Sequence, residues 1–179
     1  MWVADMDFRA PKIIQEKLHG INSHGIYGYY GDYKEYNNSI KWWMKNRHNW
    51  EIDTSWIFTT HGLVNGTGLC IDAFTKPGDG IILFTPVYYQ FSNLVEAARR
   101  KVVECPLKLI DNHYHFDFVA YERNLSGDEK MVILCSPHNP GGRVWTKNEL
   151  QEVAKFANKH DLVLVLSLIH ISEPTRQKP

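Results

Sequence analysis

A rhythm in the sequence restricts the fold most: short apolar runs, each sized for one strand, alternate with stretches of helical period. Gly80-Ile81-Ile82-Leu83-Phe84, Met131-Val132-Ile133-Leu134 and Leu162-Val163-Leu164-Val165 are such runs, bounded by turn residues. A strand that is apolar at every position suits burial on both faces, the condition of parallel sheets. Between the runs, Phe91, Leu94, Val95 and Ala98 recur with helical spacing, as do Leu150, Val153, Ala154 and Ala157. The alternation predicts an α/β fold with a mostly parallel, doubly wound sheet and helices on both faces.

The remaining elements follow from local chemistry. Ala10-Pro11 opens a helix with Ile13, Ile14, Leu18 and Ile21 on one face, proline suiting the first helical position. A second helix runs from Asp32 through Tyr33, Tyr36, Ile40, Trp43 and Met44, closed by Arg47 and His48. Trp56 to Thr60 reads as a short strand, and the glycines of His61 to Gly68 as a turn leading to a helix through Leu69, Ile71, Ala73 and Phe74. His113 to Asp117 alternates like an exposed strand or hairpin, its two histidines expected to be solvated and not metal ligands. Thr146 and Glu149 form a capping box.

Composition narrows the function class. Lys plus Arg total 20 and Asp plus Glu total 20, so no positive surplus collects nucleic-acid phosphates or anionic lipid. Neither nucleic acid nor membrane is expected as a partner. No run approaches the ~18 apolar residues of a membrane span, and the start lacks a basic segment followed by an apolar core. Cys70, Cys105 and Cys135 show no CxxC spacing and sit in or beside apolar runs, as buried thiols do. The expected location is the cytoplasm.

Three loops carry candidate chemistry. Cys135-Ser136-Pro137-His138-Asn139-Pro140-Gly141-Gly142-Arg143 lies between a strand and a capped helix, at the mouth where open α/β sheets bind ligands. His61-Gly62-Leu63-Val64 precedes a helix whose N-terminus could hold a phosphate, although a glycine turn that merely joins two elements is about as common. Thr85-Pro86-Val87-Tyr88-Tyr89-Gln90-Phe91 follows the first buried strand.

Taken in order, these motifs resemble the class I/II aminotransferase superfamily, the fold-type I enzymes dependent on pyridoxal 5′-phosphate (PLP). S-P-x-N-P-x-G is similar to the loop whose asparagine, here Asn139, donates to the phenolic oxygen of the cofactor. T-P-x-Y-x-x-F resembles the segment whose ring stacks on the pyridine, which implies Tyr88. The resemblance places backbone amides of Gly62, Leu63 and Val64 on the PLP phosphate, and makes Tyr29, in Gly28-Tyr29, a donor to the phosphate of the partner subunit. Trp2-Val3-Ala4-Asp5-Met6-Asp7-Phe8 is similar to a signature of the cystathionine β-lyase-like C–S lyase branch. By resemblance, the fold is part of the large domain of the fold-type I transferases. The implied parent is a homodimeric lyase releasing thiol, pyruvate and ammonia from cystathionine or a cysteine conjugate. Transamination on the same scaffold is the alternative.

Two catalytic parts have no match. The family aspartate that pairs with the pyridine nitrogen falls on Ser167, and no lysine lies in the motif that would form the Schiff base. Leu166 to Arg176 resembles the translation of a transposase adapter used in sequencing libraries, so the native sequence is expected to end near Val165. This implies a chain truncated at both ends, inactive as it stands, with no assignable catalytic residue. The expected division is 1–50 for substrate-side and dimer contacts, 51–165 for part of the PLP-binding domain, and 166–179 for a non-native tail.

Overall fold

The structure, a computed structural model, describes residues 7–29 and 31–168. Most of the Trp2–Phe8 signature, Tyr30 and the end of the adapter-like tail lie outside the described residues. The chain divides into two compact units, 1–57 and 58–179.

In the first unit, helix α1 spans Lys12–His24 and helix α2 spans Lys34–His48. Pro11 stands at the N-cap of α1, one place before the expected position, and Gly25 ends that helix at φ 71. None of the described residues of α1 is buried, and the stripe of Ile13, Ile14, Leu18 and Ile21 is exposed. In α2 only Met44 is buried, so Trp43 and Tyr36 do not form a core within this unit. The strand expected at Trp56 to Thr60 does not form. Thr54–Trp56 makes a 3₁₀ turn, capped by the Asp53 carboxylate accepting from Ser55 N–H at 2.8 Å, and the residues after it join no ladder. β-branched and aromatic residues favour extended backbone, but a strand also needs a partner edge.

The second unit contains helix α3 (Leu63–Phe74), strand β1 (Gly80–Leu83), helix α4 (Gln90–Ala97), strand β2 (Lys101–Glu104) and the antiparallel hairpin β3–β4 (Lys108–Ile110, His113–His115). Helix α5 (Phe118–Asn124), strand β5 (Glu129–Cys135), helix α6 (Lys147–Lys159) and strand β6 (Val163–Ser167) follow. Four strands form a parallel sheet in the order β2-β1-β5-β6, with Ile81 beside Val102, Ile82 beside Val132 and Cys135 beside Ser167.

The period of two in β1 and β5 sorts their side chains between two cores. Ile82, Phe84, Val132 and Leu134 pack with Val153, Phe156 and Ala157 of α6 and Tyr121 of α5. Ile81, Leu83, Met131, Ile133 and Cys135 pack with Ile71 of α3 and with Phe91 and Val95 of α4. The parallel sheet with helices on both faces is therefore as expected. The buried stripe of α6 differs by one residue: Phe156 is buried, and Ala154 faces solvent. The ladder of β6 continues through Leu166 and Ser167, the first two residues of the adapter-like run.

The connections diverge from the middle of the sheet. β1 passes through α4 to β2 on one side, and β5 passes through α6 to β6 on the other. The crevice beyond the C-terminal ends of β1 and β5 is thus a topological switch point, where α/β sheets place ligands.

Candidate functional site at the switch point

The sequence of α3 contradicts the expected glycine turn: the helix begins at Leu63, so Gly66 and Gly68 lie inside it. Gly66 is there for closeness, since a Cβ at that position would stand 3.0 Å from Thr60 Oγ1. The conformational requirement falls on Gly62, the N-cap, at φ 87. No side chain caps this end. Gly62 N–H donates to the Thr60 carbonyl at 2.9 Å, and the helical ladder starts with Gly66 N–H to the Gly62 carbonyl at 3.0 Å. Of the three amides expected at a phosphate, that of Gly62 is therefore engaged within the chain. Those of Leu63 and Val64 lie in the first turn, ahead of the ladder, where the partial positive charge of the helix collects.

The direction of α3 follows from its other end. Arg100 donates to the Thr75 carbonyl at 2.8 Å and to Thr75 Oγ1 at 3.0 Å, just before β2 begins. The C-terminus of α3 thus lies at the N-terminal edge of the sheet. The helix has 12 residues, about 18 Å at the α-helical rise, so its N-terminus reaches the opposite edge, where the switch-point crevice opens.

Tyr88 lies in the loop after β1, half-buried, with its ring 5.1 Å from that of Tyr89 and 6.0 Å from that of Phe91. It packs on the α3/α4 core, the same face as α3. Asn139 is exposed in the loop after β5. That loop is closed by His138 N–H donating to the Arg143 carbonyl at 2.6 Å and Gly142 N–H donating to the His138 carbonyl at 2.7 Å. The indole N–H of Trp145 donates to the Cys135 carbonyl at 2.9 Å, holding the loop's exit to its entry. The capping box forms as expected. Thr146 and Glu149 hold each other's backbone, and Arg143 reaches the Glu149 carboxylate at 2.5 Å while lying over the Trp145 ring.

The two loops meet through His138, to which sequence reasoning assigned no role. Its ring is buried, and Nε2 lies 2.7 Å from the Pro86 carbonyl oxygen, 52 residues away. Burial holds the imidazole below its usual range, against the carbonyls of Pro86 and Cys135, which favour the charged ring. A carbonyl oxygen only accepts, so the bond to Pro86 requires a proton on Nε2, and burial disfavours a second proton on Nδ1. Burial also raises the Cys135 thiol at the strand end, and it pushes Cys105 up to about 12, with the Glu129 charge adding to it. Both behave as core residues.

Ser167, the place of the missing aspartate, ends β6 beside Cys135 and is 6 % exposed. Ser136 N–H donates to its carbonyl at 3.0 Å. In a parallel pair, neighbours project to the same face, so Ser167 shares the side of Cys135, the α3/α4 core. The structure thus gathers the Tyr88 loop, the Asn139 loop, the start of α3 and Ser167 at one sheet edge. Tyr29 belongs to the first unit and is fully exposed there. Among the described residues no cluster of His, Cys, Asp and Glu could hold a metal ion, and no helix is long and apolar enough to cross a membrane.

The family described as aminotransferase class I and II matches residues 5–172. The chain is 38% identical over 171 residues to cystathionine beta-lyase PatB of Bacillus subtilis, a match covering 95% of this chain and 44% of that protein. It resembles the crystal structure of cystalysin from Treponema denticola, which contains a pyridoxal 5′-phosphate cofactor, at 42% identity and a TM-score of 0.85, over 92% of this chain and 42% of the other. A PLP-bound putative aminotransferase from Clostridium difficile is similar at 38% identity and a TM-score of 0.87, over 93% of this chain and 43% of the other. The chain spans less than half the length of these relatives.

Proposed function

Because the chain belongs to the class I and II aminotransferase family, we propose that it forms one wall of a pyridoxal 5′-phosphate site whose whole protein is a carbon–sulfur lyase. The observation that carries this reading is the convergence, at the β1/β5 switch point, of an uncapped helix N-terminus, an aromatic loop and an amide-bearing loop.

The residues present fit the cofactor on this wall. The amides of Leu63 and Val64 suit a phosphate, because an anion there meets unpaired N–H groups and the positive end of the α3 dipole. Gly62 contributes its backbone shape, which brings the chain into the helix without a side chain over the anion. Tyr88 offers a flat face to a flat heterocycle and limits its tilt. Asn139 offers an amide N–H to the phenolic oxygen. Tyr29 extends toward the phosphate bound by a partner subunit in a homodimer. When bound, the cofactor supplies an electron sink for the pair left at the Cα of an amino acid after proton removal.

The wall is incomplete. Ser167 is not a carboxylate and cannot hold a proton on a pyridine nitrogen, and no lysine here is assigned to remove a Cα proton. This chain is accordingly inactive by itself. The whole protein releases a thiol from the Cβ of cystathionine or a cysteine conjugate, leaving pyruvate and ammonia, in the cytoplasm. Within it, residues 1–50 serve substrate-side and dimer contacts, 51–165 form part of the cofactor domain, and 166–179 are a non-native tail. Transamination is the second reading, favoured by the similarity to the putative aminotransferase.

Two measurements test this. The full-length protein given L-cystathionine should release pyruvate and free thiol; a requirement for a 2-oxo acid without thiol release would establish the transaminase. The present chain, treated with PLP and borohydride, should show no stoichiometric adduct at a single lysine. Such an adduct would show that the chain carries its own Schiff-base residue.

A further inference from the structure

We propose that His138 is a positioning residue that clamps the Asn139 loop to the Tyr88 loop through the hydrogen bond from its Nε2–H to the Pro86 carbonyl. The inference deepens the cofactor reading of the switch-point crevice and rests on it for its functional meaning.

The backbone ladder between β1 and β5 ends at Leu83 and Ile133. Beyond that point each chain keeps backbone bonds only to its outer neighbour, Cys135 beside Ser167 and Thr85 to Cys105 and Leu107, so nothing in strand pairing fixes the distance between the groups the two loops carry. The 2.7 Å bond from His138 to Pro86 crosses between them just past the ladder. Its geometry leaves little slack. The backbone N–H and C=O of His138 both close its own loop, to Arg143 and Gly142. Its ring is held by Trp145, with centroids 5.3 Å apart, and by Tyr114 of the β3–β4 hairpin at 6.2 Å. Gly141 lies flush on the same ring, where an added Cβ would stand 2.7 Å from His138 Cδ2 and 2.9 Å from Tyr114 Cδ2. Asn139 follows directly from the clamped residue.

The choice of side chain points the same way. His138 is 1 % exposed, and its Nδ1 is buried and makes no hydrogen bond of acceptable geometry among the described residues, the nearby Cys135 carbonyl already accepting from Trp145 and acting on the ring only as a dipole. An imidazole that satisfies only one nitrogen is a costly way to fill volume that phenylalanine or leucine would fill without penalty. The bond made by the other nitrogen accounts for a polar ring at this place.

The test separates ring volume from the donor. His138→Phe keeps an aromatic ring against Trp145 and lacks the donor, whereas His138→Gln restores an N–H near the position of Nε2. The probe is 4′-deoxypyridoxine 5′-phosphate, which has the ring and phosphate of the cofactor but no aldehyde to react with lysines. Binding to the full chain is measured by equilibrium dialysis. His138→Phe should weaken it about ten-fold, the scale of one hydrogen bond, and His138→Gln should recover most of the loss. Adding Asn139→Ala to His138→Phe should weaken it little further, because the two act through one contact. Independent, multiplying losses, or no recovery with glutamine, would overturn the proposal.

Hydrogen exchange of the amides of His138 and Gly142 gives a ligand-free readout. Exchange should quicken in His138→Phe but not in His138→Gln, while β5 amides stay protected. Equal exchange in both variants would overturn the clamp. If the wild-type chain binds no probe yet shows this exchange pattern, the clamp stands and the cofactor reading of the crevice falls.

Discussion

Gly141 has no room for a side chain, and the reason lies in tertiary contact and not in its dihedral angles. A methyl group there would be driven into the His138 ring and Tyr114 at distances below 3 Å. Both neighbours are themselves packed, so the loop must move or the rings must shift. Gly141→Ala should therefore destabilise the chain by about 1–3 kcal/mol, the usual range for overpacking, read as a lower urea midpoint at unchanged slope. Gly62 is the opposite case: it has open space around its Cβ position but a φ of 87. The sequence shows all these residues as glycine and cannot distinguish the two causes. That is why the run from Gly62 to Gly68 read as a turn, when only its first glycine needs the unusual backbone. Glu129 makes a second residue-scale prediction. Its carboxylate is buried, which opposes charge, but it accepts from Ser126 N–H at 3.0 Å, Ser126 Oγ at 3.0 Å and Gly127 N–H at 2.9 Å, and these bonds hold it below the usual glutamate range. A depressed folded-state value means stability that is present above the unfolded value and lost as pH falls through the folded one. The wild-type chain should lose stability as pH drops below about 4.3, the ordinary glutamate value. Glu129→Gln should show a shallower acid slope in urea titrations at stepped pH, and an identical slope would exclude Glu129 as a source.

Among the elements, α6 was the most legible because its signals are local: the Thr146/Glu149 box, the apolar period and a strand on either side all lie between residues 129 and 167. The segment after Trp56 was the least legible. Its composition suits a strand, yet a strand is fixed by a neighbour that can lie anywhere in the sequence, and none pairs with it here. The same limit hid the device that ends α3. Arg100, whose side chain is 7 % exposed, donates to the carbonyls of Thr75 and Ala98 and to Thr75 Oγ1, with a longer contact to the Ile71 carbonyl. It satisfies carbonyls that a helix end leaves open and ties α3 to the start of β2. Arg100→Leu keeps much of the volume but removes every donor. It should cost about 2–4 kcal/mol, since several buried acceptors lose their partner at once. Asp72 pairs with the same guanidinium from an exposed position, so Asp72→Ala should change stability by less than about 1 kcal/mol. Comparable losses in both variants would mean that the ion pair, and not the carbonyl cap, ties α3 down.

At the scale of the whole molecule, the alternation of elements foretold a parallel sheet, but not that β1 and β5 would be neighbours with some fifty residues between them. The switch point, and with it the meeting of the Tyr88 and Asn139 loops, is a property of strand order. Only the motifs' resemblance to a family suggested it in advance. Ser167 sits in the same frame, level with Cys135 on the α3/α4 side of the sheet edge. If that edge faces a pyridine ring, a carboxylate at Ser167 should be a liability alone and an asset with ligand. In Ser167→Asp the new carboxyl replaces a side chain that is 6 % exposed, and burial should raise its pKa. A raised folded-state value makes the destabilisation relative to wild type grow as pH climbs above the unfolded aspartate value of about 3.9, levelling off once the folded group ionises. A ring nitrogen able to carry a proton would pair with that charge. Saturating 4′-deoxypyridoxine 5′-phosphate at neutral pH should therefore raise the melting temperature of Ser167→Asp more than that of wild type, by linkage of binding to folding. The uncharged isostere Ser167→Asn should show no such excess. Equal shifts for all three chains would place Ser167 away from the ring and move the cofactor to another part of the crevice.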